Sequence, residues 1–143
     1  MRKNVKDSVG YLTARASYSL ASQVNRNFNK QGIDLPHSQF VILRHLFDND
    51  GQTQQELADT LFKDKAAIKR TVDNLEIRGY VSRTREGKTY RISLTPQAAL
   101  IKDDILRIAD NTVKAALKGI SSSDHEICLK VLKKITENIK MHD

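Results

Sequence analysis

The chain is poor in the residues that usually announce chemistry or compartment. It has one cysteine, Cys128, so no intramolecular disulfide framework can form and a reducing cytoplasm is the expected setting. No apolar run exceeds four residues, which excludes a transmembrane helix, and the Met1-Arg2-Lys3 start is not followed by the apolar stretch of a secretory signal. Tryptophan is absent and only two prolines occur, Pro36 and Pro96, each where a helix can begin. His37, His45, His125 and His142 show no paired metal-ligand spacing, and a zinc helix of the His-x-Glu-x-x-His type is missing. No Ser/His/Asp set, glycine-rich phosphate loop or carboxylate cluster is recognisable. Asp103 and Asp104 are neighbours on a helix and therefore diverge. Neither enzyme, metal nor cofactor is expected.

What the chain does have is positive charge in one place. Its formal net charge is +7, and residues 63–91 hold nine Lys or Arg against four Asp or Glu. Five of the seven excess positive charges therefore sit in about one fifth of the 143 residues, as a polyanion-binding surface requires. That length suits a single domain able to bury about 68% of its unfolded surface.

The basic segment has a definite plan. Thr53-Gln54-Gln55-Glu56 has capping-box spacing, and Leu57, Ala58 and Leu61 give a short helix its inner face. Lys63-Asp64 interrupts it, and Asp64 can cap a second helix running to about Arg78, with Gly79 just past its end. Ile68, Val72 and Leu75 must face inward, which leaves Lys65, Ala66, Lys69, Arg70 and Asp73 outward. A short helix, a turn and a second helix with an exposed cationic face form a helix-turn-helix. A hairpin follows. With a Glu86-Gly87 loop, Val81 falls opposite Ile92 and Arg83 opposite Tyr90, though a longer loop is open. Tyr90, Ile92 and Leu94 share the buried face, and Arg85 and Lys88 project at the tip.

The same residues resemble the MarR regulators of bacteria and archaea. The matching stretches are Leu35-Pro36-His37-Ser38-Gln39-Phe40-Val41-Ile42-Leu43, Gln55-Glu56-Leu57-Ala58, Asp64-Lys65-Ala66-Ala67-Ile68-Lys69-Arg70, Val72-Asp73-Asn74-Leu75-Glu76, Arg78-Gly79-Tyr80-Val81 and Ile92-Ser93-Leu94-Thr95. The tip Arg85-Glu86-Gly87-Lys88 lacks the family's Asp-Arg pair, so that family contact is not carried over.

The flanks read as long helices. Val9, Leu12, Ala16, Leu20, Val24 and Phe28 form one apolar stripe, and Ile101, Ile105, Ile108 and Thr112 a second. Ser123 and Glu126 offer a capping box before a third stripe of Ile127, Val131, Leu132, Ile135 and Ile139. A small winged domain cannot cover three stripes, whereas an isologous dimer can; packing among themselves is the alternative. Cys128 lies beside the last stripe and is expected to be a buried structural thiol.

The expected architecture is mainly α: a winged helix-turn-helix lobe at 35–95, with dimerisation helices at 1–32 and 96–143 of a single domain. The expected function is duplex DNA binding at a palindromic operator by a homodimer, as a repressor. Lys65, Lys69 and Arg70 would meet phosphates or guanine edges, and Ala66 a thymine methyl. Thr53 and Gln54 would hold a phosphate at a helix N-terminus, and Arg85 and Lys88 would meet phosphates from the wing. The resemblance implies a small-molecule effector in a cleft that Tyr11, Tyr18, Phe28, Phe40 and Phe47 could line. A protein-interaction module that does not read DNA is the rival.

Overall fold

The computed structural model describes residues 4–140. After a 3-10 turn at Val5–Asp7, the order is α1 Val9–Lys30, α2 His37–Asp48, β1 Gln52–Thr53, α3 Gln54–Leu61, α4 Lys65–Ile77, β2 Val81–Glu86, β3 Thr89–Leu94, α5 Pro96–Ala116 and α6 Ser122–Lys140. This is a mainly α, winged helix-turn-helix architecture. The chain divides into two compact units, residues 1–112 and 113–143, with the boundary inside α5. Met1-Arg2-Lys3 and His142, on which the secretory-signal and metal-spacing expectations partly rest, lie outside the described residues.

The core of the first unit gathers one face from each element. Phe28 of α1, Ile42, Leu43 and Leu46 of α2, Leu57 of α3, Val72 and Leu75 of α4, Ile92 of β3 and Ile105 of α5 are all buried. Phe28 and Phe40 meet edge to face with ring centroids 5.3 Å apart, a favoured aromatic geometry. The α1 stripe is split: Val24 and Phe28 enter this core, while Val9, Leu12 and Leu20 are exposed.

The helix ends follow their local chemistry. Asp64 Oδ1 accepts from the Ala67 amide at 2.7 Å and starts α4. At its end, the Tyr80 amide donates to Leu75 O and the Gly79 amide to Glu76 O, both at 2.9 Å. Gly79 has φ +81°, the left-handed conformation this Schellman termination needs.

The sheet corrects two expectations. It has three strands in the order β1-β3-β2, the short β1 pairing Gln52 with Ile92 and Thr53 with Arg91. The wing register is displaced by two residues: Val81 pairs with Leu94 and Arg83 with Ile92, so the loop is Gly87-Lys88. Gly87 has φ +64° and Lys88 does not have a positive φ, the pattern of a type II′ turn that takes glycine first. Glu86 stays in the strand because Arg91 grips its carboxylate at 2.6 and 3.2 Å. A two-residue slip preserves the faces. Tyr90 now lies opposite Arg85 near the tip and is exposed rather than buried.

The second unit holds the end of α5 and α6. The cap of α6 is Ser121, whose Oγ accepts from the Asp124 amide at 3.1 Å, rather than Ser123. Within the single chain α6 has no buried residue, and Cys128 is exposed, contrary to the expected buried thiol. Ile127, Val131, Leu132 and Ile139 are all exposed, with Ile135 half-buried.

Candidate nucleic-acid interface

The helix-turn-helix is built by two caps and a strained corner. Thr53 Oγ1 accepts from the Glu56 amide at 3.1 Å while Glu56 Oε2 accepts from the Thr53 amide at 3.3 Å, completing the capping box. Phe62 ends α3 in the left-handed region at φ 52°, and Asp64 then opens α4. Ile68, Val72 and Leu75 are buried, which fixes the rotation of α4 and turns Lys65, Ala66, Lys69 and Arg70 to solvent.

The cations of this region fall into two groups. Among the described residues, Lys65, Arg70 and Lys88 have no hydrogen-bond or ion-pair partner and are exposed. Lys69 Nζ lies 3.1 Å from Asp73 Oδ2, and Arg85 Nε donates to Gly87 O at 3.2 Å across its own hairpin tip. The remaining arginines are structural ties. Arg78 donates to Gln39 Oε1 at 2.8 Å and to Asp34 O, and its guanidinium stacks over Tyr80. Arg91 joins Glu86 to Gly51 O. Arg83 pairs with Asp73 and Glu76.

Thr53 is buried, and its hydroxyl and amide both serve the cap, so it positions the first turn of α3 rather than presenting a side chain. Gln54 is half-buried, with Oε1 accepting from Arg83 Nε at 3.0 Å. The sequence places Arg83 in the hairpin register but assigns it no functional role. Strand alternation puts Arg83 on the inward face of β2 with Val81, and an inward arginine needs partners.

The carboxyl of Asp73 is held below its ordinary value by hydrogen bonds, first from Lys69 and then from Arg83. Glu86 is lowered by its hydrogen bond from Arg91, whose own guanidinium is raised in return.

An open cleft of about 570 Å³ lies behind this surface. Tyr18 of α1, His37 and Val41 of α2, Lys63 of the turn, and Ile68 and Arg70 of α4 contribute to its walls. Of the aromatic residues expected there, only Tyr18 lines it. Phe28 and Phe40 are core, and Phe47 packs under Lys102, whose Nζ is 5.5 Å from the ring centroid. His37 is exposed on one side but leans on the Phe40 ring. Partial desolvation, and then the charge of Lys63, lower its imidazole from 6.5.

The MarR family model matches residues 33–92, from the start of this lobe to the middle of β3. An HTH-type transcriptional regulator of Bacillus cereus, itself uncharacterised, is 33% identical over 97 residues, covering 68% of this chain and 65% of its own. Sequence and fold together match the MarR family of winged-helix regulators. That match supports a DNA-binding transcriptional regulator, and the relatives it matches in sequence are named as regulators. A MarR-family regulator from Listeria monocytogenes, solved in complex with a 26mer DNA, superposes with a TM-score of 0.81 at 25% identity, covering 97% of this chain and 90% of that one. The fold is shared too by CouR from Rhodococcus jostii RHA1, bound to p-coumaroyl-CoA, with a TM-score of 0.83 at 24% identity over 94% of this chain and 95% of that one. No helix among the described residues is long and apolar enough to cross a membrane.

Proposed function

We propose that this protein is a cytoplasmic, homodimeric repressor that occludes a promoter by binding a palindromic operator. The observation that carries the reading is the set of unpartnered cations, Lys65 and Arg70 on the outward face of α4 and Lys88 at the wing tip. Each gains a counter-ion when a phosphate arrives and gives up none within the protein. Lys65, Lys69 and Arg70 enter the major groove with α4, Ala66 allows close approach to a thymine methyl, and Gln54 with the Thr53-capped first turn of α3 faces the backbone. Arg85 and Lys88 hold phosphates from the wing.

The exposed apolar stripes on α1 and α6 support the dimer, since leaving them in water is unfavourable and an isologous contact buries each twice. Such a dimer holds two α4 helices about 34 Å apart, one turn of DNA. A small-molecule effector in the cleft would release the operator, because Ala67, Ile68, Arg70 and Thr71 of α4 form one of its walls. An occupant then acts directly on the helix that reads DNA. CouR's p-coumaroyl-CoA supports the reading that a small ligand acts on this fold. No cofactor or catalytic group is involved.

Selection of binding sites from fragmented genomic DNA, followed by affinity measurement on the selected and a scrambled duplex across a salt series, tests this function. Steep salt dependence with a preference for the selected duplex is expected. Capture of a protein partner without duplex affinity would instead make the chain a protein-interaction module.

A further inference from the structure

Arg83 follows Val81 inward along β2, and its side chain is only 14% exposed. Its guanidinium reaches two other elements at once. Nη2 lies 2.6 Å from Asp73 Oδ1 and donates to Lys69 O at 3.3 Å, and Nη1 donates to Glu76 Oε1 at 3.1 Å. Nε donates to Gln54 Oε1 at 3.0 Å. All three nitrogens of the fork are therefore engaged, binding the wing to the first turn of α3 and the middle of α4.

The charges matter as much as the geometry. Asp73 belongs to the outward face of α4, one turn past Lys69, and Glu76 follows it at helical spacing; both carboxylates are partly exposed. Lys69 and Arg83 cancel Asp73 and Glu76, so this cluster of four is neutral. Without Arg83 it would carry a net negative charge between α3, α4 and the wing, where a phosphate backbone has to approach.

We propose that Arg83 is a positioning residue for DNA reading: it pins the wing and the start of α3 to the recognition helix and neutralises Asp73 and Glu76, without itself touching DNA. This rests on the DNA-binding function proposed above. A direct phosphate contact is the competing role for the same arginine. It would require the guanidinium to leave two carboxylates and the Gln54 carbonyl, and to turn out from a largely buried position. A lysine could not substitute in the positioning role, because an ammonium lacks the planar fork that serves Gln54, Asp73 and Glu76 together. In a phosphate contact, lysine would serve nearly as well.

The test compares wild type, Arg83→Gln, Arg83→Lys, Asp73→Asn/Glu76→Gln and the triple variant on a selected operator and a scrambled duplex over a salt series. Circular dichroism and thermal melting report folding. Arg83→Gln should lose roughly tenfold or more in operator affinity with an unchanged salt slope. Arg83→Lys should not restore it. The triple variant should regain affinity for scrambled duplex, since the bare carboxylates are gone, but not the preference for operator. Should Arg83→Gln fail to fold, the Asp73→Asn/Glu76→Gln protein decides: positioning requires its operator preference to fall while its affinity for scrambled duplex rises. Wild-type affinity in Arg83→Lys, a slope lowered by about one in Arg83→Gln, or a rise in both affinities in the double variant would overturn the inference. A wild-type protein that binds no duplex would overturn the DNA-binding function itself, and this inference with it.

Discussion

Asn27 of α1 and Thr112 of α5 are joined side chain to side chain across 85 residues, Asn27 Nδ2 donating to Thr112 Oγ1 at 2.8 Å. Thr112 is 5% exposed and its hydroxyl donates to Ile108 O at 2.7 Å, so one hydroxyl serves both helices. Replacing it by an isostere without oxygen would leave Asn27 Nδ2 without its Thr112 acceptor, while Asn27 Oδ1 keeps its bond from Gln23. Thr112→Val is expected to destabilise the fold by about 1–3 kcal/mol, read as a lowered urea midpoint with an unchanged m-value. A change below a few tenths would mean that water replaces the threonine freely.

Gly79 offers a second measure of local constraint. A Cβ there would lie 2.6 Å from Gln97 Oε1, and the backbone is already at φ +81°. Gln97 is held by its Nε2 donating to Arg78 O at 3.1 Å. Gly79→Ala should cost about 1–2 kcal/mol from the left-handed backbone alone. Adding Gln97→Ala should recover the part due to the clash, which thermal melts of the single and double variants would separate.

The proposed dimer predicts an asymmetry between folding and association. Ile127 is 56% exposed in the single chain, so Ile127→Glu should be nearly neutral for an isolated monomer. In a dimer that buries α6 it places an unpaired charge in the interface and should dissociate it. Sedimentation velocity at micromolar concentration should show a wild-type dimer and a monomeric variant. A wild-type monomer would refute the dimer.

On DNA, Lys69 and Lys88 should part company. Lys69→Ala removes a proposed groove contact and leaves Asp73 paired with Arg83 alone, so operator affinity should fall by about 1–3 kcal/mol with relaxed preference. Lys88→Ala should weaken operator and scrambled duplex about equally and lower the salt slope by roughly one. Loss confined to the operator in Lys88→Ala would show that the wing reads sequence.

Stability should decline in acid in two stages. The lowered imidazole of His37 means that the unfolded chain protonates there first, so stability rises with pH across the window just below 6.5. Asp73 and Glu86 are also lowered, so their contribution is present above the ordinary carboxylate range and lost as pH falls through and below it. His37→Gln should flatten the first stage, which is small because one side of the ring is open to water, and leave the second intact. A pH series of urea midpoints would show both.

Much of the site was legible in the sequence because it depends on neighbours a few residues apart. The capping box at Thr53, the cap at Asp64 and the stop at Gly79 each follow from chemistry within one helical turn, and the 3.6-residue period of Ile68, Val72 and Leu75 fixes which side chains α4 shows. Strand alternation likewise put Arg83 on the inward face of β2.

The wing register lay beyond such local rules. Glu-Gly and Gly-Lys are comparable two-residue loops by sequence, and the grip of Arg91 on Glu86 accompanies the register that the fold adopts. The two-residue β1 has too little pattern to be seen and exists only because β3 lies beside it. Local spacing thus determined the helices, the caps of α3 and α4 and the cationic face. Tertiary structure decided which cations remain free, because Lys69, Arg83 and Arg91 find carboxylates that only the folded chain, or one helical turn of it, brings within hydrogen-bond distance. An arginine's role depends on whether a partner is within reach, and that distance is a property of the fold.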